Sequence, residues 1–267
     1  MKKLSILAST LFIGGIIALV SCTKTGPEGP AGQNGANGAT GATGPIIYGT
    51  ISGNVIMTNI YGVAQTAYSG GYILLKNAGG TTTLDSVYAN TTTGAFTITN
   101  VPTGTYNMYC IYAGYGTNVH QNVEVNGNLQ VDNKIAAIPT FSISTSADSI
   151  RHRTNVNYLY GTIPADPTGA RTILVFAGSS SSTSAAPGTY SLTDNVVVPA
   201  DSTTFTITTP VNNFYGAGFT YGSTVYFAIY GAANNFNYGD YTNYTYGQLY
   251  YTAISASPLG SATITLP

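Results

Sequence analysis

Charged side chains are scarce in this sequence. Asp, Glu, Lys and Arg make up 6% of its 267 residues, and the formal net charge at pH 7 is −1. With Lys2 and Lys3 set aside, six basic residues remain against nine acidic ones, spread thinly along the chain. A surface that binds nucleic acid or anionic lipid needs a dense patch of Lys and Arg. We therefore expect no nucleic-acid partner.

Histidine is scarce too, and no catalytic motif is recognisable. The two histidines, His120 and His152, lie far apart in the sequence with no acidic cluster near either. A metal site needs three or four converging ligands, and a serine nucleophile needs a paired base. Glycoside hydrolysis needs two carboxylates, which here would have to come from distant loops. We therefore expect surface histidines, no catalytic residue, no metal and no cofactor, in a protein that is not an enzyme.

Long hydrophobic runs are limited to the N-terminal segment. Lys2 and Lys3 precede an uncharged apolar run, residues 4–20, which is the pattern of an export signal. The alternative interpretation is a transmembrane helix, but about 17 apolar residues are short for a membrane span. Small residues also precede Cys22. The run is therefore predicted to be a cleaved signal.

The end of this run, Leu19-Val20-Ser21-Cys22, resembles the bacterial lipobox, where a signal peptidase cuts before the cysteine and lipid is attached to it. The resemblance implies a lipoprotein signal peptide at residues 1–21 and a lipidation site at Cys22. Attachment of more than one acyl chain anchors a protein stably, so the membrane is a predicted partner. Thr23 replaces the aspartate that retains many such proteins in the inner membrane. We expect an outer-membrane lipoprotein with domains exposed to the periplasm or cell surface.

Residues 22–45 carry glycine at every third position from Gly26 to Gly44. The pattern resembles collagen, in which only glycine fits at the axis of three polyproline II chains. The repeat has few triplets and few prolines, so a triple helix would be marginal and two interpretations stay open. One is a single-chain tether of at most about 65 Å, at ~3.1 Å per residue. The other is a stalk that joins three chains into a homotrimer.

Residues 46–139 are predicted to form an all-β domain. Alternating segments recur at intervals of about 8–12 residues, separated by Gly, Asn, Pro and Thr, without a helical period. Seven strands in this length are typical of a β-sandwich. The predicted strands are 47–57, 71–76, 82–88, 95–99, 104–113, 119–125 and 130–135.

One passage of this domain resembles the carboxypeptidase regulatory-like, or transthyretin-like, family. The residues that carry the resemblance are Gly94, Phe96, Val101, Pro102, Thr103, Gly104, Tyr106, Gly114 and Tyr115. The family resemblance implies a noncatalytic accessory sandwich, and because related sandwiches include starch-binding modules it also implies a glycan as a partner. Alternation places Met108 and Cys110 on the buried face of the strand that follows the turn, so Cys110 is predicted to be a core thiol. If Cys22 carries lipid, Cys110 has no partner for an intrachain disulfide.

Residues 140–267 are predicted to form a second all-β domain. Its strand count is typical of an immunoglobulin-like or fibronectin type III-like sandwich, without the Trp and paired Cys of antibody domains. The low-complexity run Gly178 to Gly188 is predicted to be a mobile loop. The predicted strands are 141–145, 156–163, 172–177, 190–198, 203–208, 224–230, 249–254 and 262–266.

Tyrosine is concentrated in this domain, since residues 214–251 hold ten of the 22. A tyrosine offers a rigid apolar face and a polar tip, which suit a sugar ring or a protein surface. The segment 234–251 is too polar between its aromatics to be one strand, so we expect an excursion that displays some of them. The candidate ligand-binding residues are Phe236, Tyr238, Tyr241, Tyr244 and Tyr246. The alternative is that these rings pack on their own sandwich.

The sequence thus predicts a lipid-anchored, noncatalytic protein of the cell envelope. A glycine-repeat linker carries two consecutive β-sandwiches, residues 46–139 and 140–267, for structural or adhesive contact. The alternative function is a carbohydrate-binding surface lipoprotein that uses exposed tyrosines. Its partner would be a glycan or a surface protein.

Overall fold

The computed structural model describes residues 26, 28–35, 38, 44–151, 155–234, 241–243 and 248–267. The chain divides into two compact units, Met1–Gly44 and Pro45–Pro267. In the first unit, the described residues are exposed and have no regular secondary structure. The predicted signal peptide and Cys22 lie outside the described residues. No helix in the described part of the chain is long and apolar enough to cross a membrane.

The second unit begins with a β-sandwich of eight strands. One sheet has the order β4-β1-β7, with β8 also paired to β1, and the other has the order β3-β2-β5-β6. Strand β1 is antiparallel to β4 and parallel to β7 and β8. The strands are β1 (Tyr48–Thr58), β2 (Tyr72–Asn77), β3 (Thr83–Tyr88), β4 (Ala95–Pro102), β5 (Gly104–Ile111), β6 (Asn118–Val125), β7 (Leu129–Gln130) and β8 (Asn133–Ala136).

The core of this sandwich is built by alternation along its strands. In β5, Tyr106, Met108 and Cys110 face inward, and Met108 and Cys110 have no exposed surface. The Tyr106 hydroxyl donates a hydrogen bond to the carbonyl oxygen of Pro102 at 2.6 Å, which holds the turn between β4 and β5. The prediction of a buried Cys110 beside this turn is confirmed.

A second β-sandwich follows, with sheets β13-β10-β9 and β12-β11-β14-β17 and a separate hairpin, β15-β16. A three-stranded sheet faces a four-stranded one, and the predicted all-β fold of consecutive β-sandwiches is confirmed. Its elements are β9 (Ser144–Arg151), β10 (Val156–Thr162), β11 (Arg171–Gly178), β12 (Leu192–Val198), β13 (Thr204–Pro210), α1 (Val211–Gly216), β14 (Thr224–Ala232), β15 (Tyr241–Asn243), β16 (Gln248–Tyr250) and β17 (Gly260–Thr265).

Strand β11 is buried along its whole length because both of its faces are covered. Ile173 and Val175 face the core between the two sheets, where they pack with Phe214 of α1. Leu174 and Phe176 face the other way, into a smaller cluster that contains Tyr190 and Tyr230. The second sandwich therefore has an additional apolar layer outside one of its sheets.

The two sandwiches contact each other at a joint made of small residues and main chain. Ala136 of the first sandwich packs against Ala233 and Ala253 of the second. A Cβ added at Gly116 would lie 2.3 Å from the carbonyl oxygen of Thr252, so only glycine allows this approach. Close main-chain packing of this kind fixes the relative position of the two sandwiches. The predicted boundary at residues 139 and 140 stays a prediction, since residues 45–267 form one compact unit.

Polar contacts surround the alanines of the joint. The Asn234 amide donates hydrogen bonds to the carbonyl oxygens of Tyr61 (3.2 Å) and Ala170 (3.1 Å), and its oxygen accepts one from the Thr172 hydroxyl at 2.8 Å. The Tyr61 hydroxyl donates to the Asp166 carboxylate. This bond lowers the pKa of Asp166 and raises that of Tyr61. Loops of both sandwiches are therefore tied by side-chain hydrogen bonds.

Candidate functional site

The tyrosine-rich excursion was the predicted binding site, and most of it lies outside the described residues. This holds for Phe236, Tyr238, Tyr244 and Tyr246. Tyr241 begins β15, opposite Tyr250 of β16, and only its backbone is described. The prediction that these five residues bind a ligand stays a prediction.

Two other tyrosines of the same run serve packing. The Phe176 ring, which has no exposed surface, is surrounded edge-on by Tyr190, Tyr230 and Tyr251, with centroids at 4.9, 5.4 and 5.2 Å. Burial raises the pKa of Tyr230, whose hydroxyl accepts a hydrogen bond from the Ala185 N–H at 3.2 Å. Edge-to-face rings of this kind stabilise a core beyond the area they bury. For Tyr230 and Tyr251 the packing alternative is therefore the observed one.

The serine-rich loop predicted to be mobile covers this aromatic layer. The Thr183 hydroxyl donates to the Ser180 carbonyl oxygen at 2.6 Å, and the Ser184 N–H donates to the Thr189 hydroxyl at 3.1 Å. Thr183 is buried, and Ala185 packs against the aromatic cluster. The loop thus has internal hydrogen bonds and an apolar contact with the sheet below it.

A pair of outward-facing tyrosines on β10 forms a different candidate site. Asn157 and Leu159 are buried, so the alternation of the strand turns Tyr158 and Tyr160 to the outer face of the sheet β13-β10-β9. Their ring centroids are 6.1 Å apart and their planes differ by 10°. Tyr160 keeps 37% of its surface exposed. Two nearly parallel rings therefore stand side by side on an open sheet.

Hydroxyl residues lie opposite this pair on both neighbouring strands, together with one acidic residue, Asp148. Tyr160 lies opposite Thr206 of β13 and Ser146 of β9, and Tyr158 lies opposite Thr208 and Asp148. We call the pair and its exposed hydroxyl residues the tyrosine face. The hydroxyl residues of the tyrosine face are Ser144, Ser146, Thr162, Thr204, Thr206 and Thr208.

The tyrosine face is concave as well as polar. A depression of about 400 Å³ lies beside Tyr160, between Ser146 and Thr206, and a second one of about 330 Å³ adjoins it and shares Ser144 and Thr162. None of the described residues that line either depression is charged. A ring face beside uncharged hydroxyls can contact the apolar side of a sugar and exchange hydrogen bonds with its hydroxyls. The site suits a neutral, polyhydroxylated ligand.

A second concave region, the Tyr226 groove, lies on the outer face of the opposite sheet and measures about 770 Å³. Tyr226 of β14 is half-buried and lies opposite Thr263 of β17. The rim of this groove is again made of hydroxyl and apolar side chains, without charge among the described lining residues. Those residues are Ser181, Thr183, Tyr226, Phe227, Ala228, Pro258, Leu259, Gly260, Ser261, Ala262 and Thr263.

The reactive side chains of the first sandwich are placed in its interior. Burial raises the pKa of the Cys110 thiol to about 12, so the thiol stays protonated near neutral pH. His120 is partly buried, not at the surface as expected, and burial lowers its pKa. Its Nε2 atom is buried without a hydrogen-bond partner among the described residues. No group of three or more His, Cys, Asp or Glu in the described part of the chain could hold a metal ion.

Sequence reasoning missed the tyrosine face because it followed the density of tyrosine and not the strand pattern. The signal was present in the alternation of β10, where Tyr158 and Tyr160 flank the buried Leu159. Alternating Thr204, Thr206 and Thr208 on β13 gave the matching hydroxyl row. The local sequence does not show that β10 and β13 are neighbours in one sheet.

Comparison with known proteins gives weak likenesses only. No family model matches the sequence, and no curated protein matches it. A solved structure from Bacteroides uniformis, described as that of a proposed carbohydrate-binding protein, is 16% identical, with 77% of this chain and 96% of that one covered and a TM-score of 0.27. A DUF3823 family protein from Parabacteroides merdae is 14% identical, with 84% and 100% covered and a TM-score of 0.27. A DUF3823 family protein from Bacteroides ovatus is 16% identical, with 83% and 100% covered and a TM-score of 0.27. Likeness at this level carries no inference about function.

Proposed function

We propose that this protein is a noncatalytic, lipid-anchored protein of the cell envelope that binds neutral carbohydrate on its second sandwich. The observation that carries the proposal is the tyrosine face: two nearly parallel rings, Tyr158 and Tyr160, beside a concave field of uncharged hydroxyls. Sugars have apolar ring faces and many hydroxyls, so they match both elements of this surface. An anionic ligand would find no cation among the lining residues.

Affinity electrophoresis of the full chain tests this proposal. At least one gel that contains xylan, mannan, mixed-linkage β-glucan or amylopectin should retard the protein. A gel that contains polygalacturonate should not. Tyr160→Ala should weaken the retardation at least tenfold, which equals about 1.4 kcal/mol. Tyr221→Ala is the matched control, because Tyr221 is 82% exposed and lies outside both concave regions. Equal mobility of the Tyr160→Ala variant and the native chain in every gel would contradict the proposal.

The anchoring part of the proposal rests on the lipobox-like residues and on the glycine repeat behind them. A lipid at Cys22 and an extended linker at residues 22–45 would hold the sandwiches away from the bilayer. Mass spectrometry of the protein from its native membrane should find an N-terminal Cys22 that carries acyl chains. A Cys22→Ser variant should move to the aqueous phase in detergent partition, and an unmodified native Cys22 would refute the anchor.

A second candidate function, structural or adhesive contact with a protein of the envelope, is favoured by the joint. The hydrogen bonds of Asn234 and the approach of Gly116 to Thr252 hold the two sandwiches in one arrangement. A fixed arrangement serves a protein that bridges two partners at a set geometry. Deletion of the gene should then weaken the envelope against detergent, and the full chain should restore resistance while Asn234→Ala should not. Equal rescue by both chains would count against this function.

A further inference from the structure

We infer that the ligand of the second sandwich is an extended neutral polysaccharide chain that crosses from the tyrosine face into the Tyr226 groove. This inference rests on the proposed carbohydrate binding and adds a second contact region to it. It also sets the class of ligand, because a single sugar or a chain end would occupy one region only.

The two regions meet at one edge of the sandwich, where β9 of one sheet lies against β17 of the other. The Thr145 hydroxyl donates a hydrogen bond to the carbonyl oxygen of Ser261 at 3.1 Å. A Cβ added at Gly260 would lie 2.8 Å from the Thr145 Oγ1 atom, so glycine is needed for the strands to approach this closely. The edge between the two regions is therefore closed by direct contact.

Residues on either side of this contact line the two regions. Ser144, Thr145 and Ser146 border the depression of the tyrosine face. Gly260, Ser261 and Ala262 border the Tyr226 groove. Because Thr145 bonds to Ser261, one region ends where the other begins. A chain that leaves Tyr160 across β9 meets the Tyr226 groove next.

Both regions offer the same chemistry to a ligand. Each has one or two tyrosine rings, several serine and threonine hydroxyls, and no charge among its described lining residues. The path from β10 over β9 and β17 to β14 crosses two pairs of neighbouring strands, at about 4.8 Å each, and the contact between the edges of the two sheets, so it is longer than ~10 Å. Two regions with the same side-chain chemistry on either side of one edge suit a chain that repeats the same neutral sugar.

Calorimetric titration of the full chain with a size ladder tests the inference. The ladder runs from the disaccharide to the octasaccharide of whichever neutral polysaccharide retards the protein. Affinity should rise at least tenfold as the chain becomes long enough to reach both regions. Tyr226→Ala should remove this rise, whereas Tyr160→Ala should weaken ligands of every length.

A second pair of variants keeps the inference testable if Tyr226→Ala fails to fold. Thr263→Val removes a hydroxyl from the Tyr226 groove at nearly constant volume, and Thr265→Val does the same on the same strand outside the groove. Only Thr263→Val should reduce the affinity for long chains. If affinity reaches its maximum at the disaccharide while Tyr160→Ala still weakens it, the extended path is wrong and the proposed function stands. If none of the polysaccharides binds, both are wrong.

Discussion

The side-chain amide of Asn234, in the second sandwich, donates a hydrogen bond to the carbonyl oxygen of Tyr61, in the first, at 3.2 Å. The main-chain N–H of Asn234 donates to the carbonyl oxygen of Ile60 at 2.8 Å. One residue therefore satisfies two consecutive carbonyl groups of a loop that lies far from it in the sequence. Three alanines form an apolar cluster at the joint, and Asn234 adds hydrogen bonds to carbonyl groups of both sandwiches.

Replacement of Asn234 by alanine should destabilise the protein. The change leaves the Thr172 hydroxyl and two carbonyl groups without their partner, at a cost of about 1–3 kcal/mol. Urea denaturation of the full chain followed by tyrosine fluorescence measures the loss. Asn212→Ala, an exposed residue of α1, is the control and should stay within about 0.5 kcal/mol of the native chain. Equal midpoints for both variants would contradict the role given to Asn234.

Alanine at Gly116 should disturb the joint by steric overlap. The new Cβ would lie 2.3 Å from the Thr252 carbonyl oxygen and 2.8 Å from the Ala253 nitrogen, both of which are main-chain atoms. Overpacking of this kind costs typically about 1–3 kcal/mol. Gly216→Ala is the matched control, since its Cβ would meet nothing within 4 Å. Thermal unfolding by circular dichroism should show a lower midpoint for Gly116→Ala alone.

Truncation of Phe176 should be among the most damaging changes in the second sandwich. The ring is fully buried and touches three tyrosine rings, so Phe176→Ala removes a large apolar group and leaves a cavity. The expected loss of unfolding free energy is about 3–5 kcal/mol. Tyr88→Ala, at a tyrosine 74% exposed on the first sandwich, should cost far less. A small effect of Phe176→Ala would mean that the aromatic layer adds little to stability.

Cys110 should make stability fall at alkaline pH. Burial raises its pKa from 9.0 to about 12, so between these values the unfolded thiol loses its proton while the folded one keeps it. The free energy of unfolding then falls by up to about 1.4 kcal/mol per pH unit. Below the unfolded pKa the thiol is protonated in both states and has no effect on stability. The unfolding free energy should drop less between pH about 8 and about 10 in Cys110→Ala than in the native chain.

The same burial protects Cys110 from reagents. A thiol reagent such as dithiobis-nitrobenzoate should label Cys110 in urea but not in native buffer, because only the thiolate reacts and the side chain is inaccessible. Rapid labelling of the folded protein, or the same pH dependence with and without the thiol, would contradict the buried placement.

His120 should make stability fall on the acidic side. Burial lowers its pKa, so as the pH falls below about 6.5 the unfolded chain takes up a proton that the folded chain resists. The neutral His120 side chain therefore favours the folded state at neutral pH, and this stabilisation is lost as the pH falls through the acidic range. His120→Gln should flatten the decline of unfolding free energy between pH about 7 and about 5. An unchanged decline would show that the histidine is solvated in the folded state.

The strands of the first sandwich were the most predictable part of the molecule. The predicted strand 104–113 corresponds to β5 (Gly104–Ile111), because its apolar residues alternate and a Pro-Gly turn sets its start. The predicted strand 130–135 is instead two strands, β7 and β8, which pair with β1 in the same register on either side of residues 131 and 132, where the Asp132 carboxylate accepts a hydrogen bond from the Asn54 N–H. Alternation locates a strand but does not record which neighbour it pairs with.

The second sandwich was less predictable, because tertiary packing and not the local sequence determines several of its features. Helix α1 is flanked by Pro210 and Gly218, but its six residues are too few to show a helical period, and Val211 and Phe214 are buried against the core. The joint could not be predicted, because Asn234 and Tyr61 are joined only by the fold. The tyrosine face could have been found from the alternation in β10, but its hydroxyl row comes from β13 and β9. The density of one residue type does not show which side chains face outward, whereas the register of neighbouring strands does.

The parallel pairing of β1 with β8 has a mechanical consequence. The chain enters the first sandwich through β1 and leaves it through β8, and four residue pairs, from Val55–Asn133 to Thr58–Ala136, connect the two strands in register. Tension between the start of β1 and the end of β8 acts along both strands in opposite directions. Their hydrogen bonds must then shear together and cannot open one by one. The first sandwich is therefore built to resist being pulled apart along the line of its own chain.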